Sequence, residues 1–280
     1  MQCYNNEAGE LGVKASHRAL AAAQITADQF THIITVSCTG FYAPGFDIEI
    51  INRLGLPRTV QRTHVGFMGC HGAMNALRVA QAFADRQPSA RILVCAVELC
   101  SLHFQYGWAP DKLVANSLFS DGAAALIMAG DESAVKTRCG LHKGSGSVIV
   151  EDTADAMRWY IGDNGFQMQL SSQVPNIVAN TLANWLSSWL RQYDIAVGDI
   201  TNWAVHPGGP RILDAVEQCL QLPESALLAS RTVFEQCGNM SSPTVLFIIE
   251  ELLRAKASGP CVVLGFGPGL TIEAALLLLD

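Results

Sequence analysis

No stretch of this sequence is apolar for long enough to cross a membrane. The most hydrophobic segment, LTIEAALLLL at the C-terminal end, is interrupted by Glu273, and a spanning helix needs about 20 apolar residues in a row. The opening residues, MQCYNNEAGELGVK, lack the basic-then-apolar order of an export signal. Nine cysteines are present, an odd number, and no two form a C-x-x-C pair. Without an export signal they read as reduced thiols of a cytoplasmic protein, neither a disulfide frame nor a zinc site. No other metal-ligand spacing is visible, so no metal is expected. Charge is also scarce, at 15% of residues, with a net charge of −7 and a pI near 5.5. That balance argues against a general nucleic-acid binder, while leaving room for a local basic patch that meets a phosphorylated ligand.

Hydrophobic residues, by contrast, make up half of the 280, and the mean hydropathy is +0.24. A chain of this length buries a large core, as one domain or as two similar halves. So apolar a composition suits a sheet covered on both faces or an extensive subunit interface. Strand-like runs fall at 31–39, 90–99, 123–129, 202–206, 260–266 and 270–279. Helix-like runs fall at 7–24, 71–86, 175–192, 209–220 and 242–257. Their alternation predicts α/β layers around a largely buried sheet. The glycine- and serine-rich CGLHKGSGS (139–147) is the expected boundary, giving halves 1–140 and 141–280. The halves share a plan: Cys70 lies opposite Asn239 (239 − 70 = 169) and Ile92 opposite Cys261 (261 − 92 = 169), with His206 opposite Cys38 (206 − 38 = 168). A near-constant offset implies two copies related by a pseudo-two-fold axis, which would bring Cys70, His206 and Asn239 to one place.

Chemistry concentrates at those three residues. GFMGCHGAMNALRVA (66–80) sets Cys70 among Gly66, Gly69 and Gly72 at the mouth of a helix. Glycine there admits tight turns and close approach, and the positive helix end favours thiolate over thiol. The alternative for a lone cysteine is a buried structural thiol. WAVHPGGPRILD puts His206 at a strand end, where α/β folds bind ligands; alone it also reads as a satisfied buried histidine. CGNMSSPTVLF puts Asn239 after a glycine, where a helix cap or turn residue is the plain reading. Taken together, cysteine supplies a nucleophile, imidazole supports its thiolate, and imidazole plus amide donate to a developing oxyanion.

The blocks GFMGCHGAMNALR, VHPGGPRILDAVE, CGNMSSPTVLFIIEEL and GFGPGLTIEAALL resemble the signature blocks of type III polyketide synthases, the chalcone-synthase-like enzymes. SCTGFYAPGFD, VELCSLHF and NSLFSDGAAALI match in the same order, so the resemblance spans nearly the whole chain. It implies a thiolase fold, layered αβαβα, in an obligate homodimer. It implies acyl transfer to Cys70, then decarboxylation of malonyl-CoA and Claisen condensation with His206 and Asn239 holding the thioester oxygen. Acyl-CoA and malonyl-CoA are then substrates, and no resident cofactor is expected. Phe119 would be a gatekeeper, with Met168 where chalcone synthase has a second gate phenylalanine. Cys38, Ala43, Cys100 and His103 would shape the substrate cavity, with Gly267 and Pro268 from the GFGPG block beside it. Ala43 stands where chalcone synthase carries a methionine that reaches the partner's site. A small residue there resembles bacterial long-chain alkylpyrone and alkylresorcinol synthases, in which a tunnel opens. The expected reaction is therefore iterative condensation on a medium- or long-chain fatty acyl starter, ending in a pyrone or a resorcinol. Cys38, placed as in naphthalene-forming bacterial relatives, keeps a malonyl-primed alternative open.

Members of the family begin upstream of the helix that opens this sequence, and that segment carries a strand, helices and a basic cluster contacting the CoA phosphates. Other readings of the residues are a ketoacyl-ACP synthase III-like enzyme, which condenses once, and a truncated non-catalytic subunit pairing with a complete homologue. A papain-like Cys–His–Asn protease is disfavoured by the duplicated halves.

Overall fold

The computed structural model describes residues 1–108, 110–131, 139–163 and 165–280. In the N-terminal half, helix α1 (Gln2–Ala23) precedes β1 (His32–Ser37), α2 (Phe46–Leu54), β2 (Gln61–Gly66) and α3 (Gly72–Arg86). Strand β3 (Arg91–Leu99), α4 (Pro110–Leu118) and β4 (Asp121–Ala129) complete it. The C-terminal half runs β5 (Gly140–Ile149), a hairpin of β6 (Met157–Gly162) and β7 (Gly165–Leu170), α5 (Val174–Leu190) and β8 (Asn202–Val205). It continues through α6 (Pro210–Leu220), α7 (Leu228–Cys237), α8 (Thr244–Arg254), β9 (Gly259–Gly267) and β10 (Thr271–Leu279).

Two four-stranded sheets have the orders β2-β1-β3-β4 and β5-β10-β9-β8. In the first, β1 runs parallel to β3, and β3 antiparallel to β4. In the second, β8 runs parallel to β9, and β9 antiparallel to β10. The same three-strand unit thus occurs twice, as the constant sequence offset predicts.

Alternation along the central strands builds the layers. In β3, Leu93, Cys95 and Val97 meet Tyr4, Ala8 and Val13 of α1 and Phe46 and Ile50 of α2. The intervening Ile92, Val94 and Ala96 meet Ala76, Ala80 and Ala84 of α3. In β9, Val262, Leu264 and Phe266 pack under Leu182 and Leu186 of α5 and Leu213 and Val216 of α6. Cys261 and Val263 face Met74 of α3 and Val245 and Ile248 of α8. Helices α3 and α8 therefore lie between the sheets, and the sandwich reads α-β-α-β-α. Each fully buried Val, Leu, Ile or Phe contributes about 1.5–3 kcal/mol, which explains why half the chain is hydrophobic.

The stretch 139–147, read in the sequence as the boundary between halves, forms most of β5, paired antiparallel with β10. Its glycines leave space for aromatic rings, since a Cβ at Gly144 would overlap Tyr193 and one at Gly146 would overlap Trp189. No helix among the described residues is long and apolar enough to cross a membrane.

Candidate active site

Strand β2 ends at Gly66, and the chain then turns through Phe67 (φ 58°) and Gly69 (φ 75°) into a short 3-10 turn, Gly69–His71, that runs directly into α3. Gly69 is required twice over: L-residues rarely adopt that φ, and a Cβ there would overlap the Pro268 ring. The turn is clamped from below, because the Gly69 N–H donates to the Cys38 sulfur at 2.9 Å. Cys70 is thereby fixed at the mouth of α3, buried between the sheets.

Two groups from the segment before α8 face its sulfur. The Ser241 hydroxyl donates to Cys70 Sγ at 3.6 Å, and the Asn239 side chain also acts on the thiol. The Asn239 amide is oriented by its own neighbourhood. Its Oδ1 accepts the Ser241 N–H at 2.8 Å, which leaves Nδ2, a donor, buried with no protein partner. His206 follows β8, its N–H donating to Leu264 O at 2.8 Å. Its ring is 1% exposed, and both ring nitrogens lack a protein partner. Unpaired buried polar atoms are rare in folded proteins, and here three of them belong to the two residues read as oxyanion donors.

Burial governs the resting charges. It pushes the Cys70 thiol up to about 11, with the Ser241 hydroxyl opposing, the Glu98 charge adding and the Asn239 amide opposing. That rise outweighs the ~0.3–1 kcal/mol of an ordinary helix terminus. Burial thus opposes the thiolate that the helix mouth favours. Burial also pushes the His206 imidazole down to about 3, with His71 adding to the fall. Burial alone thus favours the uncharged form of both groups.

A buried carboxyl that sequence reasoning passed over organises the floor. Glu98, fully buried on β3, accepts the Cys38 N–H at 2.9 Å, the Thr39 hydroxyl at 2.7 Å and the Ser242 hydroxyl at 2.5 Å, with Ser37 at 3.3 Å. Burial lifts it to about 7 against those donors. It links the end of β1 to the segment carrying Asn239. Its signal was a lone acid inside the apolar run ARILVCAVEL.

The open cavity over Cys70, about 350 Å³ with the solvent space it opens to, is lined by Cys38, Cys100, Phe119, Trp159, Met168 and Pro268 among others. A second space of about 470 Å³ adjoins it and is bounded by His103, Gln105, Lys112 and Asn116. Cys100, Phe119, Trp159 and Met168 line both and form the ring between them. Trp159, missed in the sequence, faces Met168 across the β6–β7 hairpin and donates from Nε1 to Cys38 O at 2.7 Å. His103 serves as a brace: Nε2 donates to Thr39 O at 2.6 Å, Nδ1 accepts the Phe166 N–H at 2.9 Å, and the ring stacks on Phe166. Gly267 lines neither space; a Cβ there would overlap the His71 ring. Ala43 is also outside both. It sits exposed on the loop between β1 and α2. An exposed place on one chain is where a residue that reaches the partner's site would stand.

Two duplicated α/β halves with a buried cysteine, histidine and asparagine at their junction define a condensing acyltransferase of the thiolase fold. Residues 1–132 match the N-terminal domain of chalcone and stilbene synthases and residues 142–279 the C-terminal domain, so the chain belongs to that family and is a type III polyketide synthase. It is 33% identical over 282 residues to the alpha-pyrone synthesis polyketide synthase-like Pks18 of Mycobacterium tuberculosis, covering 99% of this chain and 72% of that protein. The crystal structure of PKS-I from the brown alga Ectocarpus siliculosus superposes with a TM-score of 0.95 at 29% identity, covering 100% of this chain and 76% of the other. The C-terminal type III polyketide synthase domain of Steely1, a type I/III hybrid from Dictyostelium, gives 0.95 at 29% identity, with 99% and 78% covered. The protease and single-condensation readings give way to this membership.

Proposed function

We propose that this chain, as a homodimer, extends a medium- or long-chain fatty acyl-CoA starter iteratively with malonyl-CoA and releases an alkylpyrone. The observation that carries the reading is the Asn239 amide, whose oxygen is tied to Ser241 N–H so that its nitrogen is offered as a buried donor near Cys70.

In the first step the Cys70 proton passes to His206 and the sulfur attacks the starter thioester; CoA leaves as a thiol, taking that proton. Malonyl-CoA then loses CO₂, and the electron pair of the broken C–C bond becomes an enolate whose oxygen receives hydrogen bonds from Asn239 Nδ2 and His206. Preorganised donors of this kind are worth roughly 3–4 kcal/mol each. The Phe119 ring, lining the same space, disfavours a carboxylate relative to neutral CO₂ by desolvation. The enolate carbon attacks the Cys70 thioester and expels the thiolate, giving a 3-oxoacyl-CoA that reloads Cys70. After further rounds an enol oxygen attacks the thioester carbonyl, the C–S bond breaks, the leaving thiolate takes the enol proton, and the lactone closes. No resident metal or cofactor is called on.

Support for a long starter comes from the second space beyond the Cys100–Phe119–Trp159–Met168 ring, since each methylene buried there adds about 0.8 kcal/mol. Pks18, by its name a protein of alpha-pyrone synthesis, supports the pyrone. Support for the dimer comes from Phe41, Phe67 and Met68, apolar side chains exposed beside the nucleophile turn, of the kind that marks interfaces. Labelled acyl-CoA followed by peptide mapping tests the first step: the label is expected on Cys70, and a label on Cys38 or Cys100 that survives Cys70→Ala would overturn the assignment.

A further inference from the structure

A CoA thioester carries its phosphates a full pantetheine arm away from the sulfur, so a cation at that distance from Cys70 would add to binding. The chain after His206 leads to one. Both ring nitrogens of His206 are buried without a protein partner among the described residues. Pro207, Gly208 and Gly209 follow, and then α6 opens with Pro210 and Arg211. Gly208 is half-buried, and a Cβ there would meet only Ile212, at 3.4 Å. A Cβ at Gly209 would stand 3.4 Å from Leu118 of α4. The two glycines thus form a strip free of side chains, walled by Leu118, between the buried imidazole and the exposed Arg211. Leu118 directly precedes Phe119, which lines the cavity over Cys70, so the strip continues from that cavity.

Arg211 is free to take a ligand. Among the described residues its guanidinium makes no ion pair and no hydrogen bond. Both acids of α6 are already held by Arg231 of α7, Asp214 at 3.0 Å and Glu217 at 2.8 Å. Side chains of a helix tilt towards its N-terminus, so an arginine at the second position leans over the helix start and the glycine strip. Gly209 has no side chain with which to cap that start, and the positive end of this 11-residue helix lies beside the guanidinium. Helix α4 keeps the strip apart from the second space: Lys112, Ala115 and Asn116 line that space, whereas Leu118 faces Gly209.

We propose that Arg211 is a substrate-binding residue that pairs with the phosphates of acyl-CoA and malonyl-CoA. The pantetheine arm then lies along Gly208 and Gly209, between α4 and α6, and delivers the thioester to Cys70, His206 and Asn239. The inference rests on the reading of the substrates as CoA thioesters. Five residues of chain separate His206 from Arg211 and span at most about 17 Å, comparable with an extended pantetheine arm. Backbone without side chains admits the arm closely, and a guanidinium offers a phosphate two N–H groups at once. Arg211 lies far from the reacting atoms along that arm, so it holds ground state and transition state alike and acts on binding alone.

Binding of free CoA, read by titration calorimetry, tests this without turnover. Arg211→Gln is expected to raise Kd about tenfold, the low end for a hydrogen bond between charged groups because Arg211 is exposed. The variant should also lose affinity less steeply with added salt than the parent does. Lys256→Gln removes the same charge just before β9, at the end of that strand away from His206, and should leave Kd unchanged. With malonyl-CoA, Arg211→Gln should raise KM by the factor seen in Kd at unchanged kcat. Equal CoA affinity in Arg211→Gln and the parent overturns the inference and leaves the proposed function standing. An equal loss in Lys256→Gln, or a fall in kcat at unchanged KM, overturns it as well. A parent that binds no CoA removes the CoA-thioester reading, and the inference with it.

Discussion

Phe119 and Asn239 are joined backbone to backbone in an isolated parallel bridge. The Asn239 N–H donates to Leu118 O at 2.8 Å, and the Ser120 N–H donates to Asn239 O at 2.9 Å. The apolar wall and the amide to which the proposed mechanism assigns decarboxylation therefore form one unit. Gly238 makes the close approach possible, with φ 70° and the Leu118 carbonyl 3.2 Å from where a Cβ would stand. Donor and wall are placed together, as a step that loses CO₂ and gains an oxyanion requires.

Asn239→Ala should separate the two half-reactions. Malonyl-CoA decarboxylation is expected to fall by about 10²–10³, the usual effect of removing one oxyanion donor, while Cys70 still takes an acyl group. Stopped assays of CO₂ release beside intact-protein mass spectrometry check both at once. Decarboxylation at the parental rate would remove Asn239 from the oxyanion site.

Gly69→Ala should damage the nucleophile turn without touching a reacting atom. The added methyl meets Pro268 and forces a left-handed φ on alanine, a strain of order 1–3 kcal/mol. Thermal unfolding should show that loss, and acylation of Cys70 should slow with it. A variant as stable and as fast as the parent would mean that the turn is not held as described.

Glu98 should make stability depend on pH. Burial raises its folded pKa from 4.5 to about 7, so the folded state binds the proton more tightly than the unfolded chain. The stabilisation is complete below pH 4.5 and is lost as pH rises to about 7, a change of about 3 kcal/mol. Denaturant unfolding of the parent relative to Glu98→Gln should show that difference shrinking across the window. A difference independent of pH would show that Glu98 is not held protonated by burial.

Trp159→Ala should join the space over Cys70 to the one beyond it, because its ring lines both. Longer starters should gain in kcat/KM relative to short ones, and product profiles by mass spectrometry should move to longer chains. A uniform change across starter lengths would count against the second space as the chain pocket.

The periodic elements were legible because their residues are buried on both faces: the runs at 90–99 and 260–266 are β3 and β9 nearly to the residue. The turns that carry Cys70, His206 and Asn239 were legible because turn chemistry is local, and Gly69, Gly208 and Gly238 announce them. The β5 strand was not, because Gly144 and Gly146, spaced to admit Tyr193 and Trp189, carry the same letters as a loop. The β2 strand, QRTHVG, and the β6–β7 hairpin were hidden by their polar residues. Cavity walls were the least legible. Trp159 reaches the wall through a hairpin whose position depends on the rest of the fold.

The central claim is iterative condensation initiated at Cys70, and one measurement bears on it most directly: mass analysis of products formed from a fatty acyl-CoA and carbon-13 malonyl-CoA. The account predicts a pyrone whose mass equals the starter plus at least two labelled two-carbon units, absent with Cys70→Ala. A product halted after one condensation, or label incorporation that survives Cys70→Ala, would contradict it.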